Sequence, residues 1–410
     1  MRKQYILIGL MALIVQFAQA QFTLDGEFRP RTEYRNGYGS IIPDAAEPGF
    51  GVSTRVRLNA GYAVDAYKFY VSFQDIMVWG ENRQLLPYDQ NNSFAIFEAW
   101  TELNLGKGFS TKLGRQTISY DDERIMGVVN WTQQARNHDA ALLKYNKGKF
   151  MLDFGLAFSQ DYSNPSGFQS TSTAYNTTGF FSYKTMQYLY LKQAWENFSG
   201  SLLFLNNGFQ KFDTNNAPDG VNSLQTLGTH LDYKKGSFGA AANAFLQLGD
   251  NVDGAFLLGL DLTYKASDKV TFGAGFEITS GNDSTTPDSE AFFPLYGTNH
   301  KFNGFMDYNN VGLVDIHASA NFKLGAKSSL LVKALNFSGE QDLPSGENAL
   351  GTEIDLVFKQ AFNGYALFAG YSQMFASDGM NELKGVSNDA AADIQNWGWV
   401  MLVIKPKFIN

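Results

Sequence analysis

The stretch AFLLGLDLTYKA, residues 255–266, alternates between two faces along its whole length. One face carries only bulky apolar side chains: Phe256, Leu258, Leu260, Leu262 and Tyr264. The other face is mixed: Leu257, Gly259, Asp261, Thr263 and Lys265. A period of two predicts a β-strand with one apolar side. Such a strand fits either the core of a soluble sandwich or the lipid-facing wall of a transmembrane barrel.

The same alternation recurs in other parts of the chain. It is found in KFMLDFGLAFSQ, residues 149–160, and in KVTFGAGFEITS, residues 269–280. The composition agrees with a sheet protein, because 40 glycines, 35 phenylalanines and 20 tyrosines accompany only 10 prolines. Beyond the N-terminal segment the sequence has no run of about 18 apolar residues, the length that a membrane-spanning helix needs. We therefore expect an all-β protein.

The lengths of the connections distinguish the two all-β alternatives. We predict about eighteen strands, starting near Phe22, Val52, Tyr67, Ala95, Phe109, Asp139, Phe150, Phe181, Phe198, Leu224, Phe238, Ala255, Val270, Val311, Leu330, Thr352, Tyr365 and Asn396. Connections after even-numbered strands are short. Connections after odd-numbered strands are mostly long, and among these only the one around Asp250 is clearly short. This alternation matches the short periplasmic turns and long extracellular loops of an outer-membrane barrel. The predicted fold class is an all-β, transmembrane antiparallel β-barrel whose first and last strands pair, because a sheet in lipid can have no free edge.

The N-terminal segment has the features of a secretory signal peptide. Arg2 and Lys3 precede an apolar run, and Ala18-Gln19-Ala20 provides a small-residue cleavage site. We expect residues 1–20 to be the signal peptide and residues 21–410 to form the barrel in the outer membrane of a Gram-negative-type envelope. A first strand that begins near Phe22 leaves no room for an N-terminal plug domain, which favours passive diffusion over energised uptake.

Arginine is distributed unevenly in a chain whose formal net charge is −8. All nine arginines that follow the signal peptide fall within the first 136 residues, at positions 29, 31, 35, 55, 57, 83, 115, 124 and 136. The strand phase places several of them inside the barrel, since Phe22, Phe28 and Tyr34 would face outward. The first two strands then present to the lumen Glu27, Arg29, Arg31, Glu33, Arg35, Arg55 and Arg57.

A symmetric loop between these strands predicts a hairpin in which paired positions sum to 86. This register sets Arg29 opposite Arg57 and Arg31 opposite Arg55, and like charges directly opposite are destabilising. Two interpretations follow: a network balanced by Glu27 and Glu33, or a site for an anion that pairs with guanidinium groups. Inward acids later in the chain would form an opposing wall: Asp153, Asp232, Asp261, Glu277 and Asp315. That arrangement is also typical of a general or weakly selective porin.

The predicted loop from Tyr120 to His138 contains a recognisable motif. The motif consists of Gly114-Arg115-Gln116, Asp122, Arg124, Gly127, Trp131, Gln134, Arg136, Asp139 and Ala140. At these spacings it resembles the alginate-export family of outer-membrane β-barrels, and FPLYGTNHKFNGFMDY, residues 293–308, resembles a second segment of that family. The resemblance implies eighteen strands, an arginine-rich pore for an acidic polysaccharide, and loops that restrict the conduit.

By matching position, the resemblance implies that Arg115, Arg124 and Arg136 are pore or loop-packing residues. With Arg29, Arg31, Arg55 and Arg57 they form the predicted path of an anionic solute such as an acidic poly- or oligosaccharide. We expect the Tyr120–His138 loop, with Asp122, Glu123 and Trp131, to fold inward and form the constriction. In the alternative interpretation, Arg124 and Arg136 only pair with Asp121, Asp122, Glu123 and Asp139 and hold the shape of the loop.

Other classes of function have weaker support in the sequence. His317 shares a predicted face with Asp315 and Ser319, and His230 shares one with Asp232, but residues two apart on a strand are neighbours by construction. We expect no enzyme activity, no cofactor and no metal site; GDNVDG, which starts at Gly249, is expected to be a turn. A surface-receptor barrel is a further alternative because several loops are long and polar. The expected partners are outer-membrane lipid and an anionic or sugar solute, without nucleic acid, and the sequence does not identify periplasmic export or uptake partners.

Overall fold

The computed structural model describes residues 21–409 apart from 83, 86–92, 160–182, 216, 283–287, 309–311 and 393. The predicted signal peptide, residues 1–20, therefore lies outside the described residues. Eighteen strands are present, in chain order: β1 Gln21–Asn36, β2 Gly49–Ala63, β3 Tyr67–Val78, β4 Ala95–Gly106, β5 Phe109–Gln116, β6 His138–Lys147, β7 Phe150–Phe158, β8 Thr185–Ala194, β9 Phe198–Phe212, β10 Pro218–Lys235, β11 Phe238–Gly249, β12 Val252–Lys265, β13 Val270–Thr279, β14 Leu313–Lys323, β15 Ser328–Gly339, β16 Ala349–Ala361, β17 Tyr365–Ala376 and β18 Gln395–Ile404.

The strands form one closed antiparallel barrel. Each strand pairs with its neighbours in sequence, and β18 closes the ring by pairing with β1, as in Arg31 opposite Met401. After Lys405 and Pro406 the segment Lys407–Ile409 continues this pairing along β1. The predicted closure and the predicted strand number are confirmed. The ring satisfies the backbone hydrogen bonds that an open sheet edge would leave unpaired in lipid.

The two faces of the strands have the predicted orientation. On β12, Leu258 is 46% exposed on the outer surface, whereas Leu257 is fully buried toward the lumen. The same alternation separates exposed Phe272 on β13 from buried Glu277. Outward apolar side chains are stabilised by lipid, and the lumen receives the polar half of each strand.

The connections differ strongly between the two ends of the barrel. At one end, which we call the short-turn end, the turns include residues 64–66, 107–108 and 236–237. The opposite, long-loop end carries the predicted long connections. Two connections at that end are short: the predicted one at Asp250 and the β9–β10 connection, residues 213–217. The predicted strand starts at Phe181 and Val311 lie outside the described residues, and β8 and β14 begin a few positions later.

The predicted register of the first hairpin is wrong by two residues. Paired positions sum to 84, so Arg29 lies opposite Arg55, Arg57 opposite Glu27, and Arg31 opposite Ser53. The shift arises because β2 begins at Gly49, before the predicted start at Val52, so that the pairing ends at Arg35 with Gly49. A shift of two preserves which face each residue occupies. Only one like-charged pair therefore remains directly opposite.

The long-loop half of the lumen is filled by loops. One buried cluster packs Met126 of the β5–β6 loop against Tyr296 of the β13–β14 loop and Tyr188 of β8. A second cluster packs Met306 of the β13–β14 loop against Trp397 of β18. The described parts of the loops contain two short helices, a 3-10 turn at Asn299–Lys301 and α1 at Asp378–Leu383. No helix among the described residues has the length and apolarity needed to span a membrane.

Candidate functional site in the barrel lumen

Five arginines on β1 and β2 face the lumen, and we call them the arginine cluster: Arg29, Arg31, Arg35, Arg55 and Arg57. Arg55 is fully buried, and Arg29 and Arg31 are 4% and 6% exposed. Such burial requires partners for the guanidinium groups, since an unpaired buried charge costs several kcal/mol.

Two glutamates of β1 supply part of this pairing. Glu27 accepts hydrogen bonds from Arg55, with Nε–Oε1 at 2.8 Å, and lies 3.8 Å from Arg29 Nε. Glu33 lies 3.1 Å from Arg31 Nε and 3.0 Å from Arg35 Nη2. Each glutamate thus serves two arginines, which leaves the cluster with a surplus of positive charge.

The remaining hydrogen bonds of the cluster go to the β5–β6 loop, residues 117–137, which we call the inward loop. Arg29 donates to the carbonyl oxygens of Asn130 at 2.7 Å and Thr132 at 2.5 Å. Arg31 donates to the Trp131 carbonyl at 2.8 Å. Arg55 donates to the Thr132 and Gln133 carbonyls, and Gln133 Oε1 accepts from Arg29. One wall of the barrel therefore holds four consecutive residues of the loop.

Two arginines of the cluster are less enclosed. Arg57 Nε donates to Gln74 at 2.7 Å, and its guanidinium lies 3.7 Å from the centre of the Phe97 ring. Its Nη2 atom has no hydrogen-bond partner in the described part of the chain. Arg35 has 46% of its side chain exposed and stacks over Tyr38.

The other end of the inward loop binds a different part of the wall. Arg124 makes a bidentate pair with Glu277 of β13, with distances of 2.6 Å and 2.7 Å. Asp122 accepts from Asn243 of β11 at 2.7 Å, and Asp121 accepts from Lys192 of β8 at 2.9 Å. The loop therefore crosses the lumen from β1–β2 to β8–β13. Its inward folding was expected from the sequence.

The other predicted loop residues pack against the β13–β14 loop. Glu123 accepts a hydrogen bond from the Thr298 hydroxyl at 2.7 Å. Trp131 stacks on His300 with the ring centres 3.6 Å apart. Arg136 donates to the backbone oxygen of Tyr296, and its burial lowers the pKa of its guanidinium to about 10, so that it stays charged near neutral pH.

The two segments that carry the family resemblance are in direct contact. Met126 and Tyr296 form a parallel bridge, and Gly127 N–H donates to the Tyr296 carbonyl at 2.8 Å. Thr298 N–H donates to the Glu123 carbonyl at 2.9 Å. Both segments thus belong to one packed unit inside the barrel.

The backbone of the inward loop is conformationally costly. Asp121, Glu123, Val129 and Ala135 all have φ between +51° and +71°. The left-handed region disfavours residues that carry a Cβ, most of all a β-branched one such as Val129. The hydrogen bonds at both ends of the loop must therefore hold it in place.

The predicted acids are present on the inner face but differ in environment. Asp153, Glu277 and Asp315 are buried, whereas Asp261 is half exposed and Asp232 is exposed. Glu277 is committed to Arg124 rather than to a free acidic wall. Below the inward loop, a cavity of about 200 Å³ is lined by both signs of charge: Asp122, Asp261, Glu277, Lys301, Asp315, His317 and Lys333.

Arg115 is not brought together with the other predicted path residues. It lies on the outward face of β5 with Leu113, while Gln116 is buried on the inner face. Its partner is Asp139 of β6, at 2.8 Å. We therefore do not retain it as a lumen residue.

Of the two histidines that share a strand face with an acid, His317 contacts that acid and His230 does not. His317 lies between Asp261, 2.8 Å from Nε2, and Asp315, 3.5 Å from Nδ1. His230 Nδ1 lies 2.9 Å from Asn243 of β11. Within the described ranges, no group of three His, Asp or Glu side chains could hold a metal ion.

Sequence reasoning missed the long-range partners of the inward loop. Arg124 was expected to pair, if at all, with acids of its own loop, whereas it pairs with Glu277 on β13. Gln133, which binds Arg29 and Ser53, was not singled out. The strand phase in the sequence already placed Glu277 inside the barrel. Its lack of a basic partner on the neighbouring strands was the only signal that a residue from elsewhere in the chain would pair with it.

Comparison with known proteins supports the same architecture. The chain resembles OccAB4 of Acinetobacter baumannii, with a TM-score of 0.64 and 14% identity over 95% of this chain and 99% of that one. It also resembles OccK9 (OpdG) of Pseudomonas aeruginosa, with a TM-score of 0.64 and 11% identity over 94% and 98% of the two chains. For the outer membrane protein OpdK of the same organism the TM-score is 0.62, with 10% identity over 95% and 99%. These similarities concern the fold.

The sequence itself identifies the family. Curated proteins give no match to this sequence. The model of the alginate export family matches residues 21–390, which includes the inward loop and its partner segment. The chain therefore belongs to the alginate export family, and it is an outer-membrane β-barrel channel.

Proposed function

We propose that this outer-membrane channel passes anionic solutes by passive diffusion, with acidic oligo- or polysaccharides as the substrate class. The observation that carries the proposal is the excess of positive charge on β1 and β2, where two glutamates pair with four of the five inward arginines and Arg57 has no ion pair among the described residues. A fixed charge of one sign in a narrow, partly desolvated conduit raises the local concentration of the opposite ion.

The hydrogen bonds to the inward loop do not remove this charge. The loop offers Arg29, Arg31 and Arg55 carbonyl and amide oxygens, which carry no net charge. These bonds satisfy the geometry of the guanidinium groups and leave their field in the lumen. A passing carboxylate is attracted by that field and reaches the less enclosed Arg35 and Arg57 first.

A general diffusion channel of weak selectivity is the second candidate. Its support is the set of acids elsewhere in the lumen, among them Asp315, Glu353 and Asp355, which are almost fully buried. Opposed basic and acidic walls would orient the dipoles of passing solutes without strongly preferring either sign. The two candidates differ in the sign and size of the ionic preference.

The test is the reversal potential across a planar bilayer under a KCl gradient. The variant Arg35→Gln/Arg57→Gln removes two charges and leaves Arg29, Arg31 and Arg55 to hold the inward loop. The control is Arg115→Gln, which removes an arginine of the same family motif from the outer surface. We expect an anion-selective wild type, a reduced anion preference in the double variant, and no change in the control.

The expected effect should weaken at high salt, because screening lengths shorten to about 3 Å at 1 M. A wild-type channel that prefers cations would reject the proposal and favour a general porin. An anion preference that the double variant retains in full would move the filter away from the arginine cluster.

A further inference from the structure

Two acids of β16 are buried in the wall of the lumen without a positively charged partner. Glu353 and Asp355 lie two residues apart on the inner face of the strand, and both are fully buried. Neither carboxyl group takes part in an ion pair within the part of the chain that the structure describes. In the same part of the chain, Oε2 of Glu353 and Oδ2 of Asp355 have no hydrogen-bond partner.

A single proton satisfies both of these oxygen atoms. The two carboxyl groups are in hydrogen-bonding contact with each other. Oδ1 of Asp355 already accepts a hydrogen bond from the Ser372 hydroxyl at 2.6 Å, so Oδ2 is the atom left to carry a proton toward Oε2 of Glu353. Two adjacent carboxylates that are shielded from water cannot both stay ionised at low cost, and such pairs hold one proton between them.

The titratable groups on the neighbouring elements do not take the place of this proton. Lys333 lies opposite Asp355 on β15, but its ammonium group donates to a backbone carbonyl of the β13–β14 loop at 3.2 Å. His300 of that loop lies 2.9 Å from an aspartate of its own loop. Tyr308 donates its hydroxyl proton to a backbone carbonyl of the β1–β2 loop. The residues of β17 that lie opposite the pair carry no charge.

Glu353 attaches the β13–β14 loop to the wall of the barrel. Its Oε1 atom accepts hydrogen bonds from the backbone N–H groups of Phe305 at 2.5 Å and Met306 at 2.8 Å. Gly304 has a φ of +82°, and a Cβ atom at this position would collide with Oε2 of Glu353. The backbone of three consecutive loop residues therefore packs directly against one carboxyl group.

We propose that the proton shared by Glu353 and Asp355 is a latch for the β13–β14 loop, and that its loss releases the loop and widens the conduit. With the proton in place, the pair carries one negative charge and Glu353 accepts the N–H groups of the loop. Without it, two negative charges lie side by side in a site where little water screens them, so their repulsion is strong. The repulsion is relieved when Glu353 turns toward water, and Phe305 and Met306 then lose their acceptor.

The test is the single-channel conductance in planar bilayers from about pH 5 to about pH 9, a range over which a buried carboxyl pair can lose a shared proton. Asp355→Asn places a permanent N–H donor where the proton lies, at nearly the same volume. Glu353→Leu removes the acceptor that holds the loop. The control is Asp315→Asn, which removes an equally buried acid of β14 that lies beside His317 of its own strand.

We expect the wild-type conductance to rise about twofold toward alkaline pH, because a released loop fills less of the lumen. Asp355→Asn should keep the low-pH conductance over the whole range, whereas Glu353→Leu should show the raised conductance over the whole range. The control should retain the wild-type rise. A wild-type conductance that does not change with pH, or a rise that survives in Asp355→Asn, would overturn the inference. Asp355→Asn preserves the hydrogen bond, so this variant decides the outcome even where Glu353→Leu does not insert.

The proton itself can be observed by infrared spectroscopy. A protonated carboxyl group has a C=O stretching band that is separate from the bands of a carboxylate, and ordinary exposed carboxyl groups are ionised at neutral pH. The difference spectrum between the wild type and Asp355→Asn at neutral pH should therefore contain the band of one protonated carboxyl group. A difference spectrum without that band would show that the pair holds no proton and would refute the latch. The anion preference of the channel, measured by the reversal potential, can hold or fail without changing either result.

Discussion

Arg55 on β2 and Lys234 on β10 both carry a positive charge into the lumen, but they are held very differently. Arg55 is fully buried, paired with Glu27 and hydrogen-bonded to the inward loop. Lys234 is exposed and has no acidic partner among the described residues. The first charge is part of the structure, whereas the second is free to meet a solute.

This contrast follows from the chemistry of the two side chains. A guanidinium group offers five donors in a rigid plane and suits a permanent, multiply bonded position. An ammonium group keeps its water shell and costs little when it stays unpaired at a wet surface. The arginine cluster is therefore expected to set the shape and field of the constriction, whereas an exposed lysine such as Lys234 is expected to stay hydrated and unpaired.

The largest expected effect comes from removing the loop that the arginines hold. Deletion of residues 123–134 should raise the single-channel conductance several-fold, because the segment that crosses the lumen is lost. Gln116 pairs directly with His138, so the shortened loop can still close. Conductance measured in planar bilayers checks this, with Arg115→Gln as the control. Unchanged conductance would mean that the loop does not limit the flow of ions.

The second-largest effect is on stability, and it compares the buried arginine with the exposed lysine directly. Arg55→Met should destabilise the barrel by about 3 kcal/mol, because it leaves Glu27 with weaker partners and loop carbonyls without donors. Lys234→Gln should change the free energy of unfolding by less than about 0.5 kcal/mol. Urea unfolding in lipid vesicles, followed by tryptophan fluorescence, measures both. A similar loss in the two variants would contradict the contrast.

The smallest effect concerns an exposed lysine that does have an acidic partner. The hydrogen bond from Lys265 lowers the pKa of the fully exposed Asp268 carboxyl. Lys265→Gln should move that pKa upward, toward the ordinary value of an aspartate. In the wild type the Lys265–Asp268 ion pair forms at a pH above the lowered pKa of Asp268, and it is lost as the pH falls through that pKa. NMR titration of the Asp268 carboxyl tests this, and an unchanged pKa would show that the pair is not formed in solution.

Strand positions and faces could be predicted because they depend on local periodicity. Apolar residues on these strands do not need a distant partner to be placed: Phe272 and Leu258 are exposed on the outer surface as their strand phase predicts. The alternation of short turns and long loops gave the closure and the strand number. Lipid imposes this regularity on each strand separately, so no distant contact is needed to detect it.

The register of the first hairpin and the partners of the inward loop could not be predicted in the same way. The register depends on where the loop after β1 ends, and β2 begins at Gly49, earlier than its apolar pattern indicates. Arg124 finds Glu277 across a distance of 153 positions in sequence. Such a pair depends on the three-dimensional path of two long loops, which strand periodicity does not encode.

The attachment of the inward loop at both ends has a mechanical consequence. A cylinder of eighteen strands can be flattened at little cost, because its wall hydrogen bonds tolerate changes in curvature. Gln133 meets Arg55 on β2, and Asp122 meets Asn243 on β11, nine strands away in the ring. We therefore expect the loop to fix the distance between β2 and β11 against lateral pressure from the membrane. Spin labels on the outer faces of β2 and β11 should show a broader distance distribution in Asp122→Ala than in the wild type, and an unchanged distribution would show that the wall keeps its own shape.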